Sequence, residues 1–427
     1  MRRWVSGFAL LLVVGGLGSG AGAVAAQDAS PVASPAGPPT GCTVVADGLI
    51  NPRNVAVADD GTLCISEAGT GGDEALNLPQ QGAASPDAGS TPEADAEAAG
   101  PPPTRGLTGQ VTMIAPDGTK TVVAKGLPSY NFEGPVGPSG IVLADGKIWL
   151  AIGGAGPATA VVDPLENENS VVQIDPGTGA VTKVADLGAE EKANNPDPNA
   201  IDSDLYGMAL GPDGKLYVAD AGGNDLYTVD PASGDIALVA TIPGLPLPAG
   251  MTPPPGGNPS RGGANELDPV PTGVDVRPDG TVYLGLLSGG PFPPGAAKVV
   301  TVSADGQIAD AATGLTMVVG VAVGPDGGLY ASELSTNFGS QPPGAGNVVR
   351  VGPDGETQVS IDGLPFPNGI AFDKDGNLYI VTGTVSFGPP SGQVLRCLGV
   401  ALPAEAPPAA SPVASPAATP VALIPED

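Results

Sequence analysis

The chain contains no histidine. That removes the Ser-His-Asp triad, the Cys-His dyad, His-ligated zinc and imidazole general bases. Any catalysis falls to carboxylates, Tyr, Lys or an oxygen-ligated metal. Basic residues are scarce: 16 Lys and Arg stand against 45 Asp and Glu, a formal net charge of −29. With no basic cluster to meet a phosphate backbone, DNA and RNA are not expected partners. Aromatics make up 4% of the residues and cysteines number 3. No nucleophile elbow, phosphate loop or Cys-x-x-Cys occurs. What abounds is Gly and Pro, 66 and 50 of the 427 residues. Small and β-branched apolar residues lie between them, which suits short strands joined by turns.

Tyr206–Ala240, YGMALGPDGKLYVADAGGNDLYTVDPASGDIALVA, sets the pattern. Four short apolar runs are separated by tight turns, an antiparallel meander of roughly 35 residues. The first turn, Asp followed by a Gly free to take positive φ, recurs at Gly61, Gly146, Gly214, Gly280, Gly327 and Gly376. The strand after it recurs as LCIS, IWLA, LYVA, VYLG, LYAS and LYIV. The strand before it ends in VAV, IVL, MAL, VDV, VAV and IAF. Six such copies predict an all-β, six-bladed β-propeller of four-stranded antiparallel blades. No stretch of the repeats carries a long 3.6-residue period, which excludes a coiled coil or a TIM barrel. The glycines read as turn glycines.

The segments outside the repeats have their own compositions. Met1–Ala26 has an Arg pair, an apolar run at Phe8–Val14 and small residues at Ala23–Ala25, the pattern of a cleaved secretory leader. Residues 27–41 form a Pro/Ala/Ser linker whose SPVASPA returns in the tail at residues 401–427. Both are expected to be disordered spacers. The folded part is Cys42–Val400, interrupted by an acidic Pro/Ala-rich insertion at 73–105 that is expected to be a disordered loop. The blades run Asn51–Leu127, Pro138–Leu187, Leu205–Ala240, Val270–Leu315, Met317–Leu364 and from Pro367 onward.

The last blade lacks a fourth strand, while Cys42–Leu49, CTVVADGL, matches fourth strands and has no blade of its own. The N-terminal strand is therefore expected to complete the last blade and abolish an open edge. That places Cys42 beside the strand holding Cys397, and in an exported chain the two are a candidate disulfide. The alternative is three reduced, inert thiols. Cys64 occupies a position held elsewhere by Trp or Tyr and reads as a buried free thiol.

In this topology the Asp-Gly turns share one face of the disc. The insertions, among them 153–169, 188–204, 243–269 and 334–346, share the other, where function usually resides. Alignment of the copies places Arg53, Tyr206 and Asn368 at first-strand starts, and Glu67, Asp220 and Glu333 at second-strand ends. Two readings stand. These residues form an oxygen-rich tunnel pocket for a cation or polar ligand, or the acids cap turns and solvate the rim. Asp275 replaces Ala or Val on an inner strand. It either faces the tunnel or is locally hydrogen-bonded. A second oxygen-rich stretch, ANNPDPNAIDSDLY, offers Asn195, Asp197, Asn199, Asp202 and Asp204. Asp197, Asp202 and Asp204 are candidate calcium ligands, although turn formation explains the same letters.

These residues carry a resemblance. GLINPRNVAVADDGTLCISEAGTGG, YVADAGGNDLYTVD, GGPFPPGAAKV and the ANNPD…DSDLYG run together resemble the ScyD/ScyE family, secreted bacterial propellers related to NHL-type repeats. The resemblance covers about Cys42–Val400, with Cys64 and the 73–105 insertion as departures. It implies the propeller fold and export; it does not make the chain a scytonemin enzyme.

The expectation is an extracellular or cell-envelope protein, a monomer, without stable membrane insertion once the leader is removed. Its partner would be a protein, glycan or small molecule bound through the loop-rich face. The alternative is a calcium-dependent hydrolase or lactonase with its site at the tunnel. A sugar or quinone dehydrogenase would need the missing histidine or a basic cluster.

Overall fold

The computed structural model describes residues 37–76, 103–132, 134–156, 162–197, 201–253, 255–340, 342–385 and 391–401. The leader, most of the linker, most of the 73–105 insertion, Asn199 and the tail after residue 401 lie outside the described residues. Among the described residues no helix is long and apolar enough to cross a membrane.

The chain is a six-bladed β-propeller. Its inner strands are Pro52–Val57, Pro138–Ala144, Leu205–Leu210, Pro271–Val276, Val318–Val323 and Ile370–Phe372. Each starts an antiparallel blade. Blade 1 adds the short strands Glu74–Ala75 and Pro135–Val136 to its basic four. The apolar residues of facing blades interdigitate, as Trp149 and Val171 of blade 2 do with Met208, Val218 and Tyr227 of blade 3.

Five of the six Asp-Gly turns are built alike; in blade 2 Asp145 and Gly146 both take positive φ, 53° and 68°, in a two-residue turn between Ala144 and Lys147. In blade 3 the Gly214 amide returns to the Gly211 carbonyl at 3.0 Å, with Gly214 at φ 79°. Asp213 accepts the Lys215 amide at 3.2 Å and the Tyr217 hydroxyl at 3.4 Å. Tyr330 donates in the same way to Asp326, and Tyr379 donates to Asp373, which opens its turn. The aromatic of the second strand thus braces the turn that precedes it. Cys64 stands at this position in blade 1; it is free and fully buried, and burial pushes its thiol up to about 12.

Cys42–Leu49 pairs antiparallel with Gly392–Cys397 and completes blade 6. Cys42 lies directly opposite Cys397, and a disulfide joins them.

The glycines are not all turn glycines. Gly140, Gly207, Gly273 and Gly320 occupy the third position of their inner strands, Gly369 immediately precedes Ile370–Phe372, and none of the five has positive φ. A Cβ on Gly207 would fall 2.0 Å from the Thr272 carbonyl oxygen, and one on Gly273 2.5 Å from the Val321 nitrogen. On Gly320 and Gly369 it would meet Asn368 O at 2.7 Å and Asn54 Oδ1 at 2.3 Å. These glycines let adjacent inner strands touch backbone to backbone. Hydroxyls staple the same seams: Thr272 donates to Val318 O at 2.8 Å and Ser332 to Asn368 O at 2.6 Å.

Three outcomes are expected from denaturant unfolding. Gly207→Ala must push backbone apart and should cost about 1–3 kcal/mol or prevent folding. Gly214→Ala, with open space around its Cβ, should cost only the left-handed strain of about 1–2 kcal/mol. Cys397→Ser should cost about 2–5 kcal/mol by freeing the closing strand.

Candidate functional site

The structure separates the candidate tunnel residues. Glu67, Asp220 and Glu333 are buried, and each turns to the connector entering its own blade. Glu67 accepts the Ile50 amide, Asp220 the Asp204 amide, and Glu333 the Thr316 amide. Glu67 also accepts from Gln110 at 2.9 Å and from the Thr112 hydroxyl. Asp220 takes the Gly222 and Gly223 amides, both at 3.1 Å, and the Ser203 hydroxyl at 2.7 Å. The three acids are thus latches between a strand end and the strand entry beside it.

Tyr206 and Asn368 meet directly. Their first strands belong to blades 3 and 6, which stand opposite each other in the ring. The Tyr206 hydroxyl donates to Asn368 Oδ1 at 2.8 Å, across the tunnel mouth. Arg53 approaches from blade 1, its guanidinium 5.8 Å from the Tyr206 ring centre, and donates to the Pro135 carbonyl. On the side of blades 4 to 6 the mouth is apolar, with Val270, Leu287, Phe292, Met317, Val319 and Leu334 packed together. Asp275 is elsewhere. Its carboxylate accepts the Val323 amide of blade 5 at 2.7 Å and its own neighbour Val276 at 2.8 Å, so it is a seam staple. Burial raises it to about 6.

The connector between blades 2 and 3 differs from the loop expected of it. Leu187–Asn194 is a helix, α1, capped by Asp186, whose side chain accepts the Ala189 amide, and closed by Asn195 in the left-handed region. Only Leu187, Gly188 and Glu191 of α1 are buried. A carboxylate therefore sits where an amphipathic pattern would carry an apolar residue, and the helix leaves no periodic signal.

Of the calcium candidates, Asp197 is paired with Arg261, which also holds Glu266 at 2.9 Å. Asp204 lies under the field of Arg53, with burial raising it to about 7 against that field. Asp202 is buried, and neither carboxylate oxygen has a hydrogen-bond partner. It lies among residues that composition did not single out, Glu191 and Asp225. Burial, with the neighbouring Asp220 charge added, pushes Glu191 up to about 8 and Asp225 to about 7. Burial and the same neighbour lift Asp202 well above the carboxylate range. The signal that could have found Glu191 is its place four residues before Asn195 in ADLGAEEKANNPD; Asp225 looks like any turn residue.

On the turn face a cleft of about 370 Å³ lies at the closing seam between blades 6 and 1. It is lined by Val45, Asp60, Phe372, Lys374 and Arg396 among others.

The fold and this mouth define the chain as a six-bladed β-propeller with a bridged tunnel entrance. The family model described as the SMP-30/Gluconolactonase/LRE-like region matches residues 320–388, from the inner strand of blade 5 into blade 6. A search among curated proteins gives no match. Among solved structures, the chain is similar to a putative oxidoreductase (glucose dehydrogenase) from Thermus thermophilus. That likeness has 17% identity and a TM-score of 0.49, covering 83% of this chain and 98% of that one. It is also similar to regucalcin, a calcium-binding protein from Agrobacterium tumefaciens, with 14% identity and a TM-score of 0.48, covering 86% and 96%. Virginiamycin B lyase from Staphylococcus aureus follows at 15% identity and a TM-score of 0.40, covering 80% and 94%. These are likenesses of chain course and carry nothing about activity.

The raised carboxylates set a pH dependence. A carboxylate whose folded pKa exceeds its unfolded value near 4 stabilises the fold below that value and loses the contribution as pH rises through the folded pKa. With Asp275, Asp204, Asp225 and Glu191 raised to about 6, 7, 7 and 8, stability should decline from about pH 5 to pH 8. No histidine titrates in that window to mask it. Thermal unfolding in chelator across the range checks this; a midpoint that rises with pH contradicts it.

Proposed function

We propose that the protein is an extracellular binding or scaffold propeller that engages a protein, glycan or small-molecule ligand through its loop-rich face. The observation carrying this reading is the Tyr206–Asn368 bridge across the tunnel mouth, 2.8 Å long. With it, Glu67, Asp220 and Glu333 are committed to backbone amides, so the acids that a tunnel centre would use already serve the fold. The Tyr206 hydroxyl is committed to Asn368 Oδ1, while Asn368 Nδ2 is buried without a hydrogen-bond partner. Recognition then falls to the connectors around the mouth, where side chains vary without disturbing the blades. Export is supported by the leader-like Met1–Ala26 and by the Cys42–Cys397 pair, which suits an oxidising compartment. The likeness to the ScyD/ScyE family supports the same placement.

A second reading, a calcium-dependent hydrolase or lactonase centred on the tunnel, draws on the match over residues 320–388. A turnover assay separates the two. Purified mature chain is offered a panel of lactones and esters with and without calcium. The binding reading expects no turnover above the uncatalysed rate. Calcium-dependent turnover that disappears in Asn368→Ala, with the fold intact by circular dichroism, would establish the hydrolase instead.

A further inference from the structure

Around Gly222–Gly223, three chain segments bring buried carboxylates together without a positive charge to balance them. Glu191 comes from α1, Asp202 from the connector that follows it, and Asp220 and Asp225 from the ends of the second and third strands of blade 3. The Asp202 amide donates to Glu191 Oε1 at 3.4 Å. A Cβ on Gly222 would lie 2.4 Å from Asp202 Oδ1. One on Gly223 would lie 3.3 Å from the Asp220 carboxyl carbon, 3.4 Å from Asp225 Oδ2 and 3.4 Å from the Asp202 carbonyl oxygen. The glycine pair is therefore the point on which these oxygens converge, and it is kept clear of side chains.

The oxygens differ in what they already hold. Asp220 is saturated by three amides and a hydroxyl. Both oxygens of Asp202, Oε2 of Glu191 and Oδ1 of Asp225 are buried without a hydrogen-bond partner. Asp202 is 2% exposed, and Glu191 and Asp225 are 0% exposed. An unpaired buried carboxylate is costly, and several sharing one pocket are costlier still. Arg261 cannot balance them, since it is committed to Asp197 and Glu266. Among the described residues no three acidic groups already stand arranged to hold a metal, so side chains would have to move for an ion to bind.

We propose that Glu191, Asp202 and Asp225 form a site for one calcium ion, distinct from the tunnel and structural in purpose. Calcium suits it because all the open donors are hard oxygens delivered by three separate segments. Calcium accepts such irregular geometry, whereas magnesium demands a near-ideal octahedron and retains its waters. Ligand binding by the loop face does not depend on this site for its chemistry. The ion would pin α1 and the connector to blade 3 and so fix one sector of that face. The set replaces Asp197 and Asp204 of the composition-based candidates by Glu191 and Asp225, since Asp197 serves Arg261 and Asp204 faces Arg53.

The test is calorimetric titration of the chelator-treated mature chain with calcium chloride, paired with thermal unfolding. One calcium per chain and a calcium-dependent rise in the thermal midpoint are expected. Asp202→Asn and Asp225→Asn should each weaken binding about tenfold or more, because ligand charge sets calcium affinity. Both should unfold no earlier than the parent chain in chelator, since each relieves repulsion, so lost binding cannot be mistaken for lost fold. Exposed Asp213→Asn should leave binding unchanged. The proposal is overturned by a folded chain that shows neither binding heat nor a midpoint shift at about 10 mM calcium. It is overturned equally by binding that survives both substitutions, or by magnesium binding as tightly as calcium.

Discussion

The propeller depends on a single close contact repeated around its axis: the backbone of one inner strand lies against the backbone of the next. Gly140, Gly207, Gly273, Gly320 and Gly369 make it achievable, because a Cβ at any of them would fall inside the neighbouring strand. In blade 1 the equivalent residue is Asn54. Its side-chain oxygen caps the Val55 amide at 2.8 Å, and Gly369 of the adjoining blade leaves room for it. One side chain is tolerated in the ring because its neighbour has none. This contact joins blade 6 to blade 1, and there the Gly369 amide donates to Arg53 O at 2.9 Å. The disulfide holds the outer strand Cys42–Leu49 onto blade 6 itself, while the glycine contact joins that blade to the next near the axis.

A ring drawn so tight leaves a narrow channel, and this governs what the mouth can do. Tyr206 is long enough to reach the opposite blade, so one hydrogen bond to Asn368 crosses it. The acids at the second-strand ends turn to their connectors, whose amides need acceptors. Their positions in blades 1, 3 and 5 are equivalent because the repeat makes them equivalent. A shared position in a repeat is therefore evidence for a shared structural task as much as for a shared ligand.

The repeat was legible because its signals are local. An Asp-Gly turn, the Tyr that braces it and the alternating apolar run lie within a dozen residues, so the blades and the closing strand could be read from the chain alone. A glycine stands at the equivalent place in five of the six blades, with Asn54 taking it in blade 1, yet its reason is a contact with a residue of the next blade, far off in the chain. Nothing local distinguishes Gly207 from a turn glycine. The site was less legible still. Glu191 and Asp202 meet only because the connector after α1 turns back and brings the Asp202 amide to Glu191 Oε1, and α1 has a carboxylate on its buried face. Asp275 was visible as an anomaly, but its partner, the Val323 amide, belongs to another blade.

The difference between blade 3 and its two counterparts follows from one methylene. In blades 1 and 5 the latch is a glutamate, long enough to reach Ile50 or Thr316 while the connector stays outside the strand end. In blade 3 it is Asp220, whose shorter side chain meets the Asp204 amide only if the connector comes in to it. Ser203 follows, giving its hydroxyl to the second carboxylate oxygen. Asp202, next in the chain, is then carried below the surface beside Gly222, where no water-exposed position remains for it. The connector gains hydrogen bonds at the strand end and sets an uncompensated carboxylate against Glu191 and Asp225. A shorter latch thus moves charge inward, and the surrounding acids make that sector of the propeller the one whose stability depends most on protons or a cation.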